Sequence, residues 1–174
     1  MKSEELKQPR GLRNNNPLNI RLSKDKWQGQ RPPSTSSVAN GDSLPFVGSE
    51  SHSVIPLKTP VAPEGKKVFC QFEAMEYGWR AAFRLLCHTY YGKYKLRTIR
   101  DIISRWAPPK ENNTPAYIRY VSDYTGIWPD RELGDPKTHP VQWLMIGFAM
   151  AVMENGTANI NSIPMLKGWE MAVQ

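Results

Sequence analysis

The sequence predicts an α+β fold, mainly helical, in which a loop- and strand-rich lobe precedes helices grouped around one buried central helix. Three observations lead there. Residues 28–67 hold many of the Pro, Ser and Gly residues, including RPPSTSS and NGDSLPFVGSES, and show no helical period. From Glu76 onward apolar residues recur at helical spacing. The run from Trp143 to Met153 is apolar on every side, as suits a helix enclosed by protein. With 174 residues and 40% hydrophobic residues, the chain is long enough to bury such a helix. Residues 1–174 read as one domain, with the asparagine motif and loop/strand lobe in 10–72 and the helical lobe in 73–174.

The stretch RGLRNNNPLNIR, residues 10–21, sets three asparagines before a proline. Asparagine carboxamides compete with the backbone for hydrogen bonds, so the run predicts turns and caps. Val68 to Phe72 reads as a strand leaving the loop-rich lobe. Trp79, Ala82, Phe83, Leu86 and Tyr90 then follow i, i+3, i+4, i+7 and i+11, predicting an amphipathic helix from Glu76 to about Gly92. A second helix opens at Thr98, paired with Asp101 in the manner of a capping box, buries Ile99, Ile102, Ile103 and Trp106, and stops at Pro108-Pro109. A third opens with Thr114 as N-cap and Pro115 behind it, and closes at Gly126. The central helix runs from Thr138–Pro140 to Asn155-Gly156, and a last short one begins at Ser162.

The net charge of +7 and pI near 9.5 draw the surface to polyanions: nucleic acid, anionic membranes or acidic wall polymers. No apolar segment follows MKSEELKQPR, and the longest apolar run falls short of the roughly 20 residues a bilayer requires. The expectation is a product made in the cytoplasm without a signal peptide and without a membrane span. Cys70, Cys87 and the three histidines form no zinc spacing, so no metal or other cofactor is expected. Both thiols are expected buried and reduced.

Three groups of residues carry candidate chemistry. Asn14, Asn16 and Asn19, followed by Trp27, offer carboxamides beside an aromatic face, a combination that grips sugars; a capped turn with Trp27 in the core explains the same residues. Glu73 and Glu76 precede the Trp79 helix. On its apolar seam Glu76 would favour its neutral form and serve as a general acid, whereas the helix dipole would keep it ionised. The third group, WAPPKENNTPAYIRYVSDYTG at 106–126, supplies Glu111 as another acid, with Trp106 and Tyr117 as sugar-binding aromatics; half-buried packing accounts for the tyrosine stripe equally. Arg80, Arg84, Lys93, Lys95, Arg97, Arg100 and Arg105 suit either a phosphate groove or a solvated face, and no nucleic-acid-binding motif accompanies them.

In order along the chain, RGLRNNNPLNIR (10–21), WxG (27–29), FxxxEYGWRA (72–81), TIxxIIxRWAPP (98–109) and ENxTxxYI (111–118) resemble a family of phage and prophage virion structural proteins, also found in gut Bacteroides genomes. More distantly, Asn16 to Arg21, Trp27 to Gly29, Phe72 to Glu76 and Thr114 to Tyr117 are similar to segments of lysozyme-like glycosidases, in particular flagellar and autolysin-type glucosaminidases. The resemblance implies a lysozyme-like fold and a peptidoglycan-directed muramidase, glucosaminidase or lytic transglycosylase, virion-associated or released to the cell wall. Glu76 would be its acid, Glu73 and Glu111 the reserves, and peptidoglycan strands and other virion proteins the partners. The alternatives are a non-catalytic virion component that binds wall glycan or a partner protein and, third, a nucleic-acid-binding packaging protein. Those glycosidases carry their acid glutamate at the end of a full helix upstream of the asparagine motif, whereas here nine residues precede Arg10.

Overall fold

A computed structural model describes residues 8–32, 68–110 and 112–174. The loop-rich stretch from 33 to 67 and Glu111 lie outside the described residues. A single helical turn, α1 (Arg10–Arg13), is followed by α2 (Met75–Phe83), which continues without a break into a π-helix (Arg84–Lys93). Then come α3 (Ile99–Trp106), α4 (Thr114–Thr125), α5 (Pro140–Asn155) and α6 (Ser162–Val173). The described protein is therefore mainly helical, and none of its helices is long and apolar enough to cross a membrane.

The strand expected at 68–72 is reduced to two isolated antiparallel bridges, Arg21 with Phe69 and Gln30 with Phe72. The amino-terminal chain touches this segment first on one edge and then on the other. Cys70 N donates to Ile20 O (2.9 Å) and Leu22 N to Val68 O (2.8 Å); beyond them Arg31 N donates to Gln71 O and Glu73 N to Gly29 O, both at 2.8 Å. Each flank turns away after one or two bonds, so no ladder grows.

The helix expected over 76–92 is α-helical only as far as Phe83. Its second half winds with i→i+5 bonds, which makes residues five apart neighbours on one face. Leu85 and Tyr90 accordingly share the face that lines a cleft, while Leu86 is buried and Tyr91 lies edge-on to Trp143 with centroids 5.3 Å apart. An α-helical stripe would have grouped Tyr90 with Leu86.

Helix ends follow local chemistry. Thr98 and Asp101 form a reciprocal capping box on α3. The cap of α4 is Asn113, whose side chain accepts from Ala116 N, and not Thr114; the Thr114 hydroxyl instead donates to Ala107 O and closes the loop behind α3. Likewise Asn161, accepting from Ile163 N, caps α6.

α2 is the middle layer. One side lies on the asparagine turn, where a Cβ at Gly78 would stand 1.9 Å from Asn15 O. Its other side meets α6 at the closest helix pairing of the fold, where a Cβ at Gly168 would stand 2.4 Å from Trp79 Cβ and 2.8 Å from Glu76 O. Trp79 stacks on Phe83 (5.6 Å), and Phe83 meets Trp169 edge-on (5.0 Å). α5 buries Trp143, Ile146, Ala149 and Met150 behind this layer. It is not enclosed on every side, because Val141 and Met153 reach solvent and Leu144 and Phe148 are half-buried. His88 Nε2 lies 3.0 Å from Ala172 O, and Arg84 donates to the same carbonyl, pinning the end of α6 to the π-helix.

Two outcomes follow for stability and reactivity. Gly168→Ala forces a methyl into backbone and should cost about 1–3 kcal/mol or more in chemical denaturation. Burial pushes the Cys70 thiol up to about 11, and burial together with Asp135 raises that of Cys87 further. Neither thiol should be alkylated near about pH 8 until the protein is unfolded, as mass spectrometry after timed quenching will read.

Candidate functional site

The asparagine turn is built from the inside. Asn16 is fully buried; its Nδ2 donates to Ile20 O and Cys70 O, both at 2.9 Å, and its Oδ1 accepts from Ile20 N at 2.9 Å. Every strong valence of this carboxamide is taken by backbone, so Asn16 is a structural clamp and not the sugar ligand expected of it. Asn14 neither lines the cleft nor turns its backbone outward, since its carbonyl accepts from Phe72 N. Asn15, with φ of 52°, donates to Phe72 O and Glu73 O. Asn19, with φ of 50°, is the member of the run that reaches the site.

Beside Asn19 lies a cleft of about 580 Å³. Its walls come from the asparagine turn, Trp27 and Phe69, the π-helix face of Leu85 and Tyr90, the Arg105-Trp106 end of α3, and Glu154 at the end of α5. Among the described residues the indole Nε1 of Trp27 has no acceptor. A second groove of about 550 Å³ lies by Trp128 along α3 and α4; of the described candidate residues Arg100 alone lines it.

Among the described residues Asp25 and Glu154 are the acids that line the cleft, and Glu154 is the one held by side-chain donors. Trp106 Nε1 donates to its Oε1 at 3.0 Å and the Tyr117 hydroxyl to the same oxygen at 3.1 Å; Asn19 Nδ2 reaches Oε2 at 3.3 Å and Glu154 O at 3.2 Å. Three donors from three parts of the chain thus converge on one carboxylate. Tyr117, itself buried, keeps its proton: burial comes first and the Glu154 charge second in holding its phenol well above the usual range. Next along α5, Asn155 donates to Pro17 O (2.7 Å) and Ala151 O (2.8 Å), locking the helix end onto the turn.

The acids expected from sequence stand elsewhere. Glu73 is exposed, and Glu76 sits in the first turn of α2 on the side where Gly168 packs; neither lines the cleft. The apolar seam next to Glu76 is the one between α2 and α6. Glu154 carried a signal that went unread: it is the sole charged residue of the otherwise uncharged stretch 140–155, one step before the helix stop. The basic residues are dispersed, with Arg97 stacked on Tyr91 (3.7 Å) and Arg100 paired to Asp130.

No protein-family model matches the chain. It is 35% identical over 164 residues to Protein P5 of Pseudoalteromonas phage PM2, across 92% of this chain and 80% of that protein. The chain belongs to the P5 family. The P5-family chain is thus tied to a phage protein over nearly its whole length.

Two measurements check this geometry. Asn16→Ala in the P5-family chain orphans Ile20 N and Cys70 O, while Ile20 O keeps its bond from Cys70 N, and should lose roughly 2 kcal/mol or more, at about 1–3 kcal/mol per buried orphan. Glu154→Gln removes the negative charge beside Tyr117, so its phenol should titrate at lower pH than in the wild type, followed by ultraviolet difference absorbance. An unmoved Tyr117 titration would place Glu154 away from that hydroxyl.

Proposed function

We propose that this protein is a component of a phage particle that binds bacterial wall glycan in the Asn19–Trp27–Glu154 cleft and cleaves it with Glu154 as general acid. The observation that carries the reading is one carboxylate, placed by three donors at the wall of an aromatic-lined cleft. Trp27, Phe69, Tyr90 and Trp106 supply ring faces for the flat apolar sides of sugars, and Asn19 supplies a carboxamide beside the acid.

The two oxygens of Glu154 are not equivalent. Oε1 is occupied by Trp106 and Tyr117, while Oε2 has a single long contact from Asn19. Oε2 is therefore the oxygen open to carry a proton to a glycosidic oxygen. Among the described residues Asp25 is the other acid lining the cleft, and the separation of two such carboxyls distinguishes retaining from inverting hydrolysis, whereas a single acid points to N-acetyl assistance or transglycosylation.

The lysozyme-like resemblance gains support from the same place. Those enzymes set their acid at the end of a full helix upstream of the asparagine motif. Here the 16-residue α5 ends at Glu154-Asn155 against that motif, approaching from 135 residues downstream instead of from upstream.

A second reading has its own observation. Three donors already occupy this carboxylate as an acceptor, which suits a binding residue better than a proton donor. The non-catalytic glycan-binding virion component rests on that point.

Incubating the full chain with purified peptidoglycan, and reading new reducing or anhydro ends by mass spectrometry, separates the two. The wild type should release ends, and Glu154→Gln should lower the rate by at least about 100-fold, the low end for general acid catalysis, while still sedimenting with the wall. Release unchanged in Glu154→Gln rejects the acid, and binding without any release by the wild type leaves the non-catalytic component.

A further inference from the structure

We infer that the cleft selects glycan strands that carry carboxylates, and that Arg10 and Arg105 are the residues that read them. The inference rests on the cleft being a glycan site and adds to it which glycans enter.

Neutral sugars need carboxamides and ring faces, not cations. Yet Arg10, Arg21 and Arg105 all line the cleft, against Asp25 and Glu154. Glu154 is served by donors of its own, and none of them is an arginine. Arg10 and Arg105 also form no ion pair among the described residues.

What holds them is aromatic. The Arg10 guanidinium lies 3.9 Å over the Phe69 ring, and that of Arg105 lies 4.1 Å over Tyr94 and 5.9 Å from Tyr90. Stacking uses the flat face of the guanidinium and leaves its in-plane N–H donors directed along its edge. It also fixes a side chain that would otherwise lose considerable rotamer freedom on binding. A planar fork of donors held in place suits bidentate capture of a carboxylate. Wall glycan provides carboxylates in two ways: on the lactyl ether of alternate sugars once the stem peptide has been removed, or on the stem peptide while it remains attached. Chitin strands have neither.

The test measures calorimetric affinity of the full chain for four strands of equal length: stem-bearing, peptide-stripped with free lactyl carboxylates, the same stripped strand with those carboxylates converted to methylamides, and a chitin oligomer. At least one of the first two should bind at least about ten-fold tighter than the last two, the scale of one charge-assisted hydrogen bond, and this ratio should shrink as salt rises. Whichever of the first two binds tighter names the carboxylate that is read. Arg10→Gln and Arg105→Gln, which keep a flat polar side chain, should bring the ratio toward one, and lysine at either position should restore part of it. Equal affinity for all four strands, or a ratio that survives both glutamine variants, overturns the inference alone. No affinity for any of the four overturns it together with the reading of the cleft.

Discussion

The buried carboxamide of Asn16 is the constraint on which the remaining structure depends. It closes the 16–20 turn onto itself through Ile20 and fastens that turn to Cys70, the residue at the centre of the segment leading into α2. Everything downstream inherits the arrangement. Phe72 is held by Asn14 and Asn15, Gly78 is laid against Asn15, and α2 is thereby pressed between the turn and α6. Domains of this size hold only about 5–15 kcal/mol of net stability, so three buried backbone bonds made by one side chain are a substantial fraction of it.

The same turn directs Asn19 outward, with a left-handed backbone that L-residues other than asparagine and aspartate rarely adopt. Division of labour within one run explains its composition: Asn15 and Asn16 satisfy backbone, and Asn19 meets Glu154. Around that acid, a partly buried cluster of Trp106, Tyr117 and Asn19 limits how far the carboxylate can swing, and preorganisation of this kind is what a binding or reacting group requires. Outside it the wall changes character, becoming aromatic and cationic.

Much of the helical lobe was legible because its signals are local. The Thr98–Asp101 box, the proline and glycine boundaries of α5 and the spacing of Ile99, Ile102 and Ile103 each involve residues within a turn or two of one another. What was misread depended on distance. An i, i+4 stripe does not reveal that the chain beyond Phe83 rewinds to i→i+5, which sets Tyr91 against Trp143 and turns Tyr90 to the cleft. The Glu76 seam was real, but which helix covers it could not be read from α2 alone. Trp27, Trp106 and Asn19 do come together, and Tyr117 stands directly behind them; Asn16 was misassigned because a carboxamide that binds ligand and one that binds backbone look identical in sequence. Glu154 was missed because its donors come from residues 19, 106 and 117, and no spacing rule joins these.

That distance has a temporal meaning. The pairing of residue 19 with residue 154 spans 135 residues of the chain, a long-range contact of the kind that slows folding. A chain that has not yet reached residue 154 lacks the Glu154 carboxylate of the cleft, and lacks α6, on which α2 packs. The cleft is therefore a property of the nearly complete polypeptide, since its walls draw on residues from Arg10 to Glu154.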